Sequence, residues 1–187
     1  MQAVLDDLAN AETQAGRLVA GLTDAQLNWQ PDGGTAWSIS QGLDHLAKTN
    51  AAYAAALREA VAKPHSSSTS TRTPIQPGWL ERYFIKSMDA PARRRFKAPK
   101  TVIPVLRISG DEALKAFVSS HDAIRALLRE CRSVDLNRIR FKNPFVPLIR
   151  FTVAAGLLIV AAHDRRHLWQ AGQVRSAMEC GRQTADL

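Results

Sequence analysis

Apolar positions recur three and four residues apart in four long stretches of this chain, the spacing that gathers side chains on one face of an α-helix. Val4, Leu8, Ala11, Ala15, Leu18 and Leu22 mark the first helix, predicted over residues 2–21 with Gly21 as its stop. The loop Trp29-Gln30-Pro31-Asp32-Gly33-Gly34 follows, rich in turn formers. Ser38 with Gln41 three residues later makes a capping box for the second helix. Its stripe is Ile39, Leu43, Leu46, Asn50, Tyr53 and Leu57, and Lys63-Pro64 ends it near residue 62. A third helix begins near Ser109-Gly110-Asp111-Glu112 and carries Leu114, Phe117, His121, Ile124 and Leu128 to about Glu130. Pro144 and Pro147 precede the last, over Arg150 to Arg175.

That last stretch is apolar on two sides. At about 100° per residue, Thr152, Gly156, Ile159, Val160, His163, His167, Gln170 and Val174 share one stripe, while Phe151, Ala155, Leu158, Ala162 and Trp169 lie roughly opposite. A membrane span needs about twenty apolar residues. The uninterrupted run Phe151 to Ala162 is much shorter and is bounded by Arg150 and by Asp164-Arg165-Arg166, so a span is rejected and no membrane partner is expected. The outer strip must still be covered, either by the residues between the second and third helices folding back or by the same helix of a second copy. Small residues at 155 and 162 would let two helices approach closely, which favours a homodimer through the last helix.

Residues 64–109 are too long for a simple connector. A Ser/Thr run from Ser66 to Thr73 and prolines at 74, 77, 91, 99 and 104 interrupt them, and Trp79, Leu80, Tyr83, Phe84, Ile85 and Met88 predict a short helix inside. Such an insertion is a natural lid or pocket wall. Four long helices with no period-two strand pattern predict an all-α fold, a four-helix bundle with this insertion between helices two and three, as a single domain over residues 1–187.

The chain has 187 residues, 45% of them hydrophobic, enough for one sizeable core. MQAVLDDLANAE at the start has no basic segment followed by an apolar one, so the cytoplasm is expected. Cys131 and Cys180 lie far apart without CxxC spacing and receive no role. The formal net charge is +8, concentrated in Arg93 to Lys100 and Arg138 to Arg150. No recognition motif accompanies these clusters, so solvated loops are expected rather than a nucleic-acid surface.

Candidate chemistry centres on His163 and His167, four residues apart and so one helical turn apart on one face. His45, about 120° round the second helix from Ile39, can reach a seam between helices. Three neutral imidazoles would leave Zn²⁺ or Ni²⁺ an open position at which water or a thiolate can be activated. From spacing alone, a polar histidine cluster and a metal site are equally compatible with these residues.

Two stretches carry a family resemblance. Trp37-Ser-Ile-Ser-Gln-Gly-Leu-Asp-His45-Leu-Ala resembles the WSxxxxxxHLA stretch of the DinB-like superfamily, and His163-Asp164-Arg165-Arg166-His167-Leu-Trp-Gln170 resembles its HDxxHxxQ stretch, in the same order. The resemblance covers nearly the whole chain, although residues 64–109 match nothing specific. It implies a four-helix bundle, frequently dimeric, with a divalent metal on His45, His163 and His167. It also implies chemistry on an activated thiol or water, as in bacillithiol-dependent transferases, mycothiol-dependent isomerases and metal-dependent hydrolases. Nothing in the sequence selects a low-molecular-weight thiol as cofactor.

Other polar residues are weighed against blander roles. Gln170, a turn beyond His167, is the candidate for contacting bound ligand. His121 on the third helix is expected to be a hydrogen-bonded core histidine rather than a fourth ligand, and His65 to be solvated. Asp164 is expected either to orient a ligand or to pair with surface arginines. Trp29 and Trp37 are expected to pack at helix ends. The expected function is a metal-dependent thiol transferase or hydrolase acting on a small molecule. The alternative is a non-catalytic bundle binding a small ligand or partner, because the inward stripes add only Thr152, Gln170 and Asn50 to the histidines.

Overall fold

A computed structural model of the chain describes residues 1–64, 74–91, 97–131, 134–146 and 148–183. His65 lies outside them, as does the first half of the basic run Arg93 to Lys100. The fold is helical. α1 spans Gln2–Val19, and Gly21 turns the chain at φ 73°, a left-handed value that suits glycine. α2 (Asp24–Leu27) is a single turn that the periodicity missed, opened by a Thr23/Gln26 capping box. α3 (Ile39–Ala62) begins with the Ser38/Gln41 box, and α5 (Gly110–Glu130) with an equivalent box of Ser109 and Glu112. Between them lies α4 (Trp79–Met88), the short helix expected in the insertion.

One element departs from the all-helical expectation. β1 (Arg140–Lys142) and β2 (Arg150–Thr152) form an antiparallel hairpin in which Phe141 faces Phe151 across the ladder. These strands of three residues are too short to show a period of two. The hairpin also starts the last helix, α6 (Val153–Gln183). The Val153 and Ala154 N–H groups donate to the carbonyls of Ile139 and Leu136, and Thr152 Oγ1 accepts from the Ala155 N–H. Three of the helix's unpaired N-terminal donors are thereby satisfied.

α3 packs against α5 and α6, and α1 packs against α6 and α5. Their apolar residues form two clusters, one around Leu57, Ile124, Phe151 and Leu157, the other around Leu43, Leu46, Phe117 and Leu168. Gly156 lets α6 approach α3 and the hairpin, since a Cβ there would lie 2.7 Å from Leu57 Cδ2 and from Phe141 Cε1.

The outward strip of α6 is corrected. Phe151, Ala155 and Ala162 are buried within the chain, while Leu158 is half-buried and Trp169 is 36% exposed. The insertion supplies the cover. α4 packs along α6, with the Phe84 ring centroid 4.8 Å from that of Phe151. Arg165 donates Nε and Nη2 to the two carboxylate oxygens of Asp89, at 2.9 and 2.8 Å, and meets Asp7 on α1 at 3.2 Å. The strip therefore offers no reason for a second copy.

A candidate metal centre of three histidines

The capping box fixes where α3 starts, and that start places His45 two turns in, buried beneath the segment 100–107. Five contacts strap this segment to α3. His45 Nδ1 lies 2.7 Å from the Val102 carbonyl, and Lys48 Nζ donates to the Ile103 carbonyl at 3.1 Å. Asp44 accepts the Val105 N–H at 2.8 Å, while Gln41 Nε2 donates to the carbonyls of Val105 and Leu106. A carbonyl can only accept, so His45 Nδ1 must carry the proton. Its Nε2 is left with a lone pair, the tautomer a metal ligand needs.

α6 brings the other two rings to the same place. His163 Nε2 and His167 Nε2 lie 3.1 Å apart, and the His45 centroid is 5.3 Å from His163 and 4.7 Å from His167. One nitrogen from each of the three lies within 4.8 Å of the others, a set that could hold a metal ion. Two further observations fit that group. Among the described residues, His163 Nδ1 is sealed from solvent without a hydrogen-bond partner, and the three rings crowd together with no carboxylate bonded to any of them. Crowded imidazoles are tolerable only when uncharged. Burial pushes His163 down to about 3, with His45 and the Arg166 guanidinium adding to the effect. Burial likewise drives His167 well below the ordinary histidine value, and lowers His45 despite its bond to Val102 and the nearby Asp44. Neutral imidazoles are the form that ligates.

Trp37 was expected only to pack at a helix end. It does precede the α3 cap, yet its ring also lies 4.6 Å from His45 and 5.9 Å from His167, stacked on the latter. A half-buried tryptophan thus walls the histidine cluster. Its place one residue before a capping serine was visible in the sequence, but its closeness to α6 was not. Gln170 is half-buried a turn beyond His167 and has no hydrogen-bond partner among the described residues.

Asp164 does not pair with surface arginines. It is fully buried, accepting from Asn50 Nδ2 at 3.0 Å and lying 3.0 Å from His121 Nε2. His121 Nδ1 in turn lies 2.9 Å from Glu12 Oε1, and Arg125 reaches the same carboxylate at 2.8 Å. His121 is thus a core histidine, as expected. Glu12, Asn50, His121 and Asp164 form a polar layer with one residue from each long helix, lying between the two apolar clusters along α3, α5 and α6 and next to their boundary on α1. Sequence reading missed the layer because its members are far apart in the chain and each had a blander role.

Fold and site define a helical protein whose three histidines, one from α3 and two from α6, could hold a metal ion. A family model described as the DinB superfamily matches residues 7–171, and the chain belongs to that superfamily. No curated protein and no solved structure matches the chain.

Proposed function

We propose that this protein is a metal-dependent enzyme that acts on a small molecule, a hydrolase or thiol transferase, with its metal on His45, His163 and His167. The observation behind this reading is the convergence of three imidazole nitrogens within 4.8 Å, in a tautomer and charge state suited to ligation. A bound divalent ion, Zn²⁺ or Ni²⁺, would supply Lewis acidity that lowers the pKa of water or of a low-molecular-weight thiol. The chain's residues do the rest. Val102 holds the His45 ring in its ligating tautomer, Trp37 shields one side of the cluster, and Gln170, half-buried a turn beyond His167, would hydrogen-bond substrate or thiol. All three ligands come from one chain, so the site does not need a second copy, and the homodimer stays a proposal that rests on the family resemblance. Cytoplasmic location is a further proposal, compatible with the absence of any helix long and apolar enough to cross a membrane among the described residues.

One observation favours a second reading, a non-catalytic bundle that binds a ligand in the same cleft. The acids adjoining the cluster in sequence are both committed, Asp164 to His121 and Asn50 and Asp44 to Lys48 and the Val105 N–H, and neither is free to serve as an acid or base there. Assaying the metal-loaded protein against ester, amide and thiol-transfer panels separates the two. Turnover that disappears in a folded His163→Ala variant supports the enzyme. Metal binding without turnover on any panel supports the binding protein.

A further inference from the structure

The one end of the molecule that the metal centre leaves unexplained is built from the start of α4 and the hairpin. Glu81 Oε1 accepts the Thr152 N–H at 2.7 Å and Asn137 bonds the chain at Pro74 and Gln76, so residues 74–84 lie directly against 137–152. Large apolar side chains are turned outward from both segments. Trp79 is 76% exposed, Tyr83 67% and Leu80 55%, and Leu148 is fully exposed with Ile149 beside it. Leu148 also has φ 70°, a left-handed conformation that a leucine adopts at a cost. Asn143 anchors the residues on either side. Asn143 Oδ1 accepts the N–H groups of Phe145 and Val146, Asn143 Nδ2 donates to Tyr53, and the Asn143 N–H donates to the Ile149 carbonyl. Leu148 thus displays an apolar side chain at a position where glycine or asparagine would be easier.

The charges beside this patch are predominantly positive, with Glu59 on α3 the acidic neighbour of Lys142. Arg82, Lys86, Arg140, Lys142 and Arg150 are exposed, and none forms an ion pair among the described residues. Arg138 meets Asp135 at 3.5 Å. In residues 74–88 and 138–152 the one acidic side chain is Glu81, and its two oxygens are taken by the N–H groups of Gly78 and Thr152. A two-fold contact with a second copy would set these cations against themselves, so charge argues for an anionic occupant. Tryptophan, tyrosine and leucine among arginine and lysine match the chemistry of a lipid interface, where rings and aliphatic tips enter the headgroup zone and cations meet lipid phosphates. Solvent-exposed aliphatic side chains offer nothing to a nucleic-acid backbone.

We propose that the face formed by α4 and the β1–β2 hairpin docks the protein reversibly on an anionic lipid surface. The expectation of no membrane partner concerned helices that cross a bilayer, and this contact only rests on one.

The test is co-sedimentation of the full chain with vesicles of phosphatidylcholine alone and of phosphatidylcholine with about one-third phosphatidylserine. Expected is binding to the anionic vesicles only, weakening as salt rises, with about a fivefold loss for each cation removed among Arg140→Gln, Lys142→Gln and Arg150→Gln. The apolar variant Trp79→Ala/Tyr83→Ala/Leu148→Ser should lose binding while its circular dichroism and metal content stay unchanged. Should that variant misfold, quenching of the unmodified protein's tryptophan emission by brominated anionic lipid replaces it, and absence of quenching overturns the proposal. So do absence of binding at low salt, apolar-variant binding equal to the parent, and stronger retention on duplex RNA that ignores the apolar substitutions.

Discussion

His121 Nε2 lies 3.0 Å from Asp164 Oδ2 with both side chains sealed from solvent, and the other ring nitrogen faces Glu12 at 2.9 Å. A neutral imidazole has one N–H and cannot donate to both carboxylates. Burial raises the Asp164 pKa, and a proton on its carboxyl completes the second bond. A buried layer of this kind contributes less to net stability than to fixing which faces of the helices meet. Through Asp164 it ties α6 to α3 and α5 one residue beyond His163.

Replacing His121 with alanine should destabilise the fold by about 3–5 kcal/mol, because it leaves the fully buried Asp164 carboxylate with only its Asn50 bond among the described residues, while Glu12 keeps Arg125. Urea denaturation followed by circular dichroism measures the loss. A change under about 1 kcal/mol would mean that the layer is hydrated and does not fix α6.

Metal-free protein should lose stability as pH falls from about 6.5 toward about 3. The three site histidines have folded pKa values below 6.5, so the unfolded chain binds more protons in that window and acid favours unfolding. Asp164 acts in the opposite sense, since a carboxyl with a raised folded pKa gains stability on protonation. Comparison with His163→Gln isolates the histidine contribution. The variant should show a shallower fall in denaturation midpoint over the same pH range, and equal slopes would contradict the burial of charge-averse imidazoles.

Gly156→Ala tests the close approach of α6. The added Cβ would meet Leu57 and the Phe141 ring at 2.7 Å, so one or both must move, at a cost of about 1–3 kcal/mol. Thermal unfolding reads this as a lowered midpoint. An unchanged midpoint would show that the hairpin yields freely.

Much of this was legible in the sequence for physical reasons. The boxes Ser38/Gln41 and Ser109/Glu112 are local chemistry, so both helix starts could be read within a residue. The three histidines could be assembled because His163 and His167 share a helix face and His45 sits in a recognisable motif. What covered α6 could not be read, since an apolar strip looks the same whether α4 or another chain lies on it. The hairpin hid in strands of three residues, and Trp37 and the Asp164 layer depend on contacts between helices distant in sequence.

The central claim is a metal held by His45, His163 and His167, and elemental analysis of protein purified without a nickel column tests it most directly. One divalent ion per chain is predicted in the unmodified protein, falling to background in a folded His45→Ala/His163→Ala/His167→Ala variant. A fully folded parent without stoichiometric metal, which also takes up none from added Zn²⁺ or Ni²⁺, would contradict the account, as would metal retained by the triple variant.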